Sequence, residues 1–497
     1  MRNLTTILIL FCAFHVNSQW VLDEAYGSFG HAHINEAWFE LPVALISSAE
    51  HEMVVSQWIH EENYFESEIG ITLLDHDGNV VDAFPVTHES YDHVIPREVE
   101  ILAGEKVLVI GECFDLDVPN QIEPFAVMLT NTGEVVTAYA NQGWMTTEFL
   151  GIDEAFNGLH ATDEQVVLAG FSLDSNYIHR ETPVLMLLDS EGFPEESFGT
   201  HGKIALDFSD NTVNDTIRHE NGGFFADALL TDDRIYAVGA YNNSLYYTCL
   251  IAAFDYHGQL DLTFSDDGIF TIDYIPYANN WFNAVHLAPN GELICNVFSE
   301  GETDGSLSFL RIGTEGSIAG VTEFNASAEL IFEDMTKLSS GEWAVTARCL
   351  AGEENAYNSD QLSLFIIDPA FEEEVYSVQL EDNMTTLTGM ELTEGQNGEL
   401  YVCAYAEGAM TDEFLYRFEY MVGMNEINPS FNLYPNPAST SFTIEGRDQY
   451  SVYNTAGQLI EQISAQGAVV TVDCSRYPDG VYFVHSNEGG CQKLIVR

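Results

Sequence analysis

Eight acids stand between apolar runs where they could converge: Glu61, Glu62, Asp115, Asp117, Glu300, Asp304, Glu353 and Asp360. Carboxylate oxygens on neighbouring loops are what a hard divalent cation takes, so their expected cofactor is calcium. No motif demands any other cofactor. Four tryptophans, Trp38, Trp58, Trp144 and Trp281, fall at unit junctions or at the starts of the same loops. An indole presents a flat apolar face on which the C–H face of a sugar stacks, so the partners they suggest are an extracellular glycan or a surface protein. His31-Ala32-His33 puts two imidazoles on one strand face, but no third ligand accompanies them and the pair reads as structural. Asp75-His76-Asp77-Gly78-Asn79 reads as a turn. Cys474 and Cys491 are candidates for a disulfide, which an oxidising compartment would permit. The chain has no GxSxG, HExxH, phosphate-binding loop or CxxC, which places binding ahead of catalysis.

The elements that must position these residues are short apolar runs rich in Ile, Val, Tyr and Phe, bounded by Asp, Asn and Gly. The clearest unit spans 224–274, where runs at Phe225 to Leu230, Arg234 to Tyr241, Tyr247 to Asp255 and Gly268 to Tyr274 make a four-stranded meander. Its second strand carries Val238-Gly239. Equivalent pairs stand at Val55-Ser56, Ile110-Gly111, Ala169-Gly170, Cys295-Asn296, Thr346-Ala347 and Cys403-Ala404, at spacings of 51 to 69 residues. A glycine after the third strand keeps the same period at Gly78, Gly133, Gly192, Gly258 and Gly316. One such unit cannot bury both faces alone, whereas repetition around an axis can. The arithmetic predicts a seven-bladed β-propeller over 19–425. The unit after Cys403 runs out following its third strand, while Leu22 to Ile34 looks like the end of a unit, so the amino-terminal segment is expected to close the ring. On such a scaffold, carboxylates near the ring axis offer the alternative of a carbohydrate-active enzyme, a hydrolase or lyase.

The net charge is −64, of which residues 426–497 carry only −3. So acidic a surface repels phosphate backbones and excludes nucleic acid as a partner. Residues 1–18 hold one basic residue and the apolar run Ile7 to Phe14, which is too short to span a bilayer and reads as a cleaved signal peptide. No later stretch is apolar enough for a transmembrane segment. Beyond the proline-rich 424–437, short alternating strands at Phe442 to Glu445, Tyr450 to Asn454, Gln458 to Ile463, Val469 to Val472 and Val481 to His485 predict a small β-sandwich over 426–497.

Two resemblances follow from these residues. The unit ends Leu22 to Ile34, Phe193 to Leu206 and Leu260 to Ile272 resemble the delta-60 repeat, a bacterial propeller-like family that implies no settled activity. The carboxy-terminal stretch resembles the sorting domain of the Bacteroidetes type IX secretion system. Its carrying residues are Leu433-Tyr434-Pro435-Asn436-Pro437, the segment Val452 to Gly457, the segment Tyr477 to Val484 with Gly480 and Tyr482, and Lys493 to Arg497. That resemblance implies handling by the type IX secretion machinery, passage through the periplasm and across the outer membrane, then release or attachment at the cell surface. Cys474 and Cys491 stand outside the family's pattern.

Overall fold

The computed structural model describes residues 19–497 except 24, 28–30, 36–38, 49–50, 60–65, 103–105, 116–121, 150, 163, 175–180, 207–221, 243–244, 301–305, 326–329, 350–360, 373, 381–385, 408–411, 422–431, 435–437, 446–448, 455–458, 465–468, 479 and 487–490. Among the described residues every regular element is a β-strand. Two compact units divide the chain, Leu22–Glu419 and Tyr420–Arg497 together with Met1–Val21.

Leu22–Glu419 is a succession of antiparallel meanders. Their inner strands are Phe39–Ser47, His93–Leu102, Gly151–Ala161, Gly223–Leu230, Asn280–Leu287, Leu330–Lys337 and Thr386–Glu394. In the 224–274 unit the strands are Gly223–Leu230, Ile235–Asn242, Tyr247–Phe254 and Ile269–Ile272, hydrogen-bonded in sequence order. The meanders that begin at Phe39 and His93 share one eight-stranded sheet through a single parallel pair, Ser67 with His93. Inner strands of successive meanders touch, except that Leu330–Lys337 meets Leu293–Ser299 and Ser306–Ile312 of the preceding meander, and Thr386–Glu394 meets Phe39–Ser47, so the succession closes on itself around an axis. This is a β-propeller, and its apolar core lies between adjacent meanders. Phe225, Phe254 and Phe282, for example, are fully buried there.

Two local devices repeat. In five meanders the hairpin after the third strand turns at a glycine of positive φ, 82° at Gly78, 78° at Gly133, 85° at Gly192, 78° at Gly258 and 76° at Gly316, a conformation glycine adopts without strain, and in the meander that begins at Leu330 the same place is taken by Phe371 at 57°. In the 75–79 turn the Asp75 carboxylate accepts from the backbone N–H of Asp77 and Asn79 at 3.0 and 2.8 Å, so this acid is occupied by its own turn.

The second device is a one-residue register shift in every inner strand, between Pro42/Ala44, Pro96/Glu98, Phe156/Gly158, Phe225/Asp227, Phe282/Ala284, Phe332/Asp334 and Gly389/Glu391. The second-strand pairs legible in the sequence sit opposite these bulges. A Cβ at Gly111, Gly170 or Gly239 would lie about 2 Å from the carbonyl oxygen of Ile95, Ala155 or Phe224, so these three bulges are closed down on glycine, whereas Ser56, Ala347 and Ala404 stand at the equivalent places in three other meanders.

The amino-terminal segment does close the last meander. His31–Ile34 pairs antiparallel with Asp412–Met421, His31 opposite Tyr416 and Ile34 opposite Glu413. His31 and His33 lean on the Phe414 ring at 5.3 and 5.1 Å.

Tyr420–Arg497 contains two sheets, Asn432–Tyr434, Ser441–Glu445 and Val469–Asp473 in one, and Leu459–Ser464, Gln449–Asn454, Gly480–Ser486 and Cys491–Val496 in the other. Phe442, Ile444, Val452, Val484 and Leu494, all fully buried, fill the space between them, as expected of a sandwich.

Candidate functional site

The bulges determine what faces the axis. Just past each one stands Ala44, Glu98, Gly158, Asp227, Ala284, Asp334 or Glu391. After an apolar residue comes a second level of Ile46, Glu100, His160, Leu229, His286, Thr336 and Thr393. The residues between, Leu45, Val99, Leu159, Ala228, Val285, Met335 and Leu392, pack among the meanders or against their core. Residues from both sides of these strands border an axial channel of about 700 Å³ that all seven inner strands share, while Ala44, Ile46 and Leu229 also belong to the apolar clusters between meanders.

Four carboxylic acids sit at the first level and Glu100 at the second, with Glu333 on the bulge beside Asp334. Two of them also hold the ring. Asp227 accepts from Ala228 N–H at 2.7 Å on its own strand and from Val285 N–H at 2.8 Å on the next. Asp334 repeats the arrangement with Met335 at 2.6 Å and Leu392 at 2.8 Å. Gly158 is needed here, since a Cβ would lie 2.4 Å from the Asp227 Cα of the adjoining strand.

Burial raises every one of these acids, because a low-dielectric wall disfavours the charged form. Asp227 is pushed up to about 7 and Asp334 to about 6, each held back by its backbone N–H donors. Glu100 and Glu333 rise to about 8, the latter restrained by Arg348, whose Nε lies 3.2 Å from Glu333 Oε1. Glu98 and Glu391 lie well above the carboxylate range, through burial and then the neighbouring Asp227 and Asp334 charges respectively. Glu391 also hydrogen-bonds Asp334, which raises Glu391 and lowers Asp334. Burial pushes His286 down to about 4 and lowers His160, whose Nδ1 accepts from Leu230 N–H at 3.4 Å.

The residues expected from sequence are distributed differently. Of the acids proposed for calcium, Asp115 and Glu300 are described, and Glu300 is exposed with Asn279 Nδ2 donating to it at 2.6 Å. Glu61, Glu62, Asp117, Asp304, Glu353 and Asp360 lie outside the described residues, as does Trp38. Trp58 is 3% exposed, its ring lying against Gly70. Trp144 is 8% exposed, with Phe125 at 5.4 Å and His88 at 4.9 Å. Trp281 is half-buried, stacked on Phe298 at 4.2 Å and donating to Asn283 Oδ1 at 2.7 Å, and Asn283 borders the axial channel. In the sandwich, Tyr434 is 46% exposed, Gly480 opens a strand, and the Tyr482 hydroxyl donates to Pro478 O at 2.7 Å. Lys493 pairs with Phe483 in the sheet, while Pro435, Asn436, Pro437 and Gly457 lie outside the described residues. Cys474 is a buried free thiol, and Cys491 opens the last strand with its side chain outside the description.

The axial acids were named only generically by the sequence reading. Each stands opposite the second-strand marker, Glu98 with Ile110, Asp227 with Val238, Asp334 with Thr346 and Glu391 with Cys403. Stepping back one strand from the marker in each unit would have found them.

Comparison with known proteins is informative mainly for the tail. No curated protein sequence matches the chain. Solved structures similar to it include one described as two prolyl endopeptidases (12% identity, TM-score 0.36, 74% of this chain and 46% of that one). A post-proline cleaving enzyme from Rickettsia typhi is also similar (12%, 0.42, 90% and 57%). So is Drosophila Semaphorin 1a, extracellular domains 1-2 (8%, 0.43, 81% and 90%). The chain spans about half the length of the first two. Residues 432–497 match the family of the secretion system C-terminal sorting domain, and this tail marks the protein as secreted or attached to the outer cell surface.

Proposed function

We propose that residues 19–425 form a seven-bladed propeller, with the joined eight-stranded sheet counted as two blades, that serves as a binding or adhesion module and receives its ligand in the axial channel. The observation that carries this is the repeated bulge, which turns Glu98, Asp227, Asp334 and Glu391 from separate meanders onto the wall of one channel of about 700 Å³. A rigid scaffold that gathers polar groups around a concavity suits recognition. The test is a screen of the full chain against immobilised extracellular glycans and surface proteins, repeated with Glu98→Gln and Glu391→Gln. Loss of binding in both variants, with melting unchanged, supports the axial site; binding indifferent to both variants overturns it.

A second reading, a carbohydrate-active enzyme, is favoured by the Asp334–Glu391 hydrogen bond. It joins an acid near 6 to one held well above its ordinary value, a division that suits a base and a proton donor. Under that reading Glu391→Gln abolishes turnover of a susceptible polysaccharide while retaining affinity, whereas a binder loses affinity and has no turnover to lose.

A further inference from the structure

We propose that the axial channel takes an uncharged polyhydroxylated group, the end or branch of a saccharide, and holds it by hydrogen bonds to the wall acids and to the Trp343 indole N–H. This rests on the reading of the channel as the binding site.

Two independent features point to such a ligand. The first is the composition of the wall. Glu98, Glu100, Asp227, Glu333, Asp334 and Glu391 face one another across a confined space. The cations nearby are otherwise engaged: Arg348 lies against Glu333, and Lys337, exposed at the channel's edge, has its Nζ 5.7 Å from the centre of the Trp343 ring. His160 and His286 are kept neutral by burial and contribute no positive charge. Six carboxylic acids crowded in this way around a single paired guanidinium retain protons. Near neutral pH the wall therefore presents carboxyl O–H donors beside carboxylate acceptors, not six negative charges.

The second feature is an unmet donor. Trp343 is 2% exposed and borders the channel, and its Nε1–H has no acceptor in the protein. Glu100 Oε2 is likewise buried without a hydrogen-bond partner. Leaving such groups unpaired is costly, and a ligand that meets them recovers that cost. An ammonium group has only donors and would leave the Trp343 N–H and the carboxyl O–H groups unmatched. Among the described residues no three His, Cys, Asp or Glu converge as a metal site. A sugar hydroxyl both donates and accepts, which suits a wall offering both.

The experiment is calorimetric titration of the full chain with a panel of neutral oligosaccharides, their amino-sugar counterparts and a lysine-rich peptide, from pH 6 to 9 at fixed ionic strength. Neutral oligosaccharides are expected to bind, and to bind less tightly as rising pH ionises Glu100 and Glu333. Trp343→Phe should lower that affinity about tenfold, the scale of one lost hydrogen bond. Glu100→Gln, which keeps a donor and an acceptor at every pH, should flatten the pH dependence. Binding of amines alone would overturn the proposal while leaving the channel as the site. Neutral binding indifferent to Trp343→Phe, Glu391→Gln and Glu98→Gln would overturn the channel reading too. No binding across the panel overturns the proposal.

Discussion

The meander at 223–272 is built from one continuous stretch, whereas the last meander borrows its outer strand from the other end of the chain, and the two solve the same problem with the same contacts. After the third strand of the continuous unit, Asp261 N–H donates to Ala253 O at 2.8 Å, Phe264 N–H to Asp261 O at 2.9 Å, and Ser265 N–H crosses to Glu315 O of the next meander at 3.0 Å. The amino-terminal segment reproduces each step. Asp23 N–H donates to Arg417 O at 2.9 Å, Tyr26 N–H to Asp23 O at 3.0 Å, and Gly27 N–H to Asp77 O at 2.8 Å. Phe264 and Tyr26 are both fully buried.

The closing segment adds a clasp. Arg417, standing where the continuous unit has Ala253, binds the Asp23 carboxylate with two guanidinium nitrogens and lies 4.6 Å from the centre of the Tyr26 ring. Nearby, buried Glu52 accepts from the Tyr401 hydroxyl at 2.9 Å and lies 2.7 Å from His76 Nδ1. A strand tethered by the chain stays at high local concentration, while one arriving from residue 19 must be held by its contacts. The difference teaches that ring closure is local chemistry at one junction.

The largest test of that difference is removal of residues 19–36. Without them Asp412–Met421 loses its outer neighbour and the last meander exposes an edge, so the melting temperature should fall sharply; an unchanged melt would break the comparison. Next come Tyr26→Ala and Phe264→Ala, each emptying a fully buried aromatic site at a cost of about 3–5 kcal/mol. Equal losses in denaturant unfolding would mean that the borrowed strand packs as well as the continuous one, and a much smaller loss for Tyr26 would mean that it frays. Arg417→Met is expected to cost less, about 1–3 kcal/mol, because it strands a mostly buried Asp23 carboxylate while retaining much of the arginine's apolar contact. At the continuous unit, Arg234→Met should cost less still. Arg234 lies 3.3 Å from Asp261, but Asp261 also accepts from Thr263 N–H and Oγ1–H.

Much of this architecture was legible because its determinants are local. Turn glycines need positive φ and recur at fixed offsets, and the small second-strand residues mark the bulges, so the repeat and the borrowed strand could be read from Gly78, Gly239 and the segment Leu22 to Ile34. The five sandwich strands expected after residue 440 likewise appear within a residue or two of their predicted bounds. The site was harder to read. Whether an acid in a chain with 79 of them faces the axis depends on a bulge one strand away and on the approach of a neighbouring meander. Glu98 and Glu100 look in sequence like any exposed Glu-Val-Glu strand. Trp58 and Trp144 illustrate the converse: their position at loop starts suggested exposed platforms, but Gly70 gives the Trp58 ring room to bury and Phe125 lies against Trp144.

The closing junction and the channel should also respond to opposite ends of the pH scale. Burial alone would raise Asp23, but the Arg417 hydrogen bonds outweigh it and hold the carboxyl below its ordinary value of 3.8. Asp23 therefore contributes stability above about pH 4 that disappears as acid protonates it in the folded state. The channel acids have raised values, so the folded protein binds their protons more tightly than the unfolded chain does. Their stabilising contribution is complete in acid and is lost as pH rises through about 6 for Asp334, 7 for Asp227 and 8 for Glu100 and Glu333. Glu413, raised to about 8 by burial and then by the Glu40 charge, adds to the same trend. His160 and His286, both lowered, oppose it only below about pH 6.5. Between pH 6.5 and 8.5 the melting temperature should therefore decline, and Glu100→Gln, which removes one ionisation without removing the side chain's bulk, should make the decline shallower while leaving the acid limb set by Asp23 where it was. Arg417→Met should do the reverse, removing the stability that Asp23 contributes above about pH 4, and with it the loss on acidification, while sparing the alkaline limb. If either variant shifts both limbs, the junction and the channel are one coupled electrostatic system and not two.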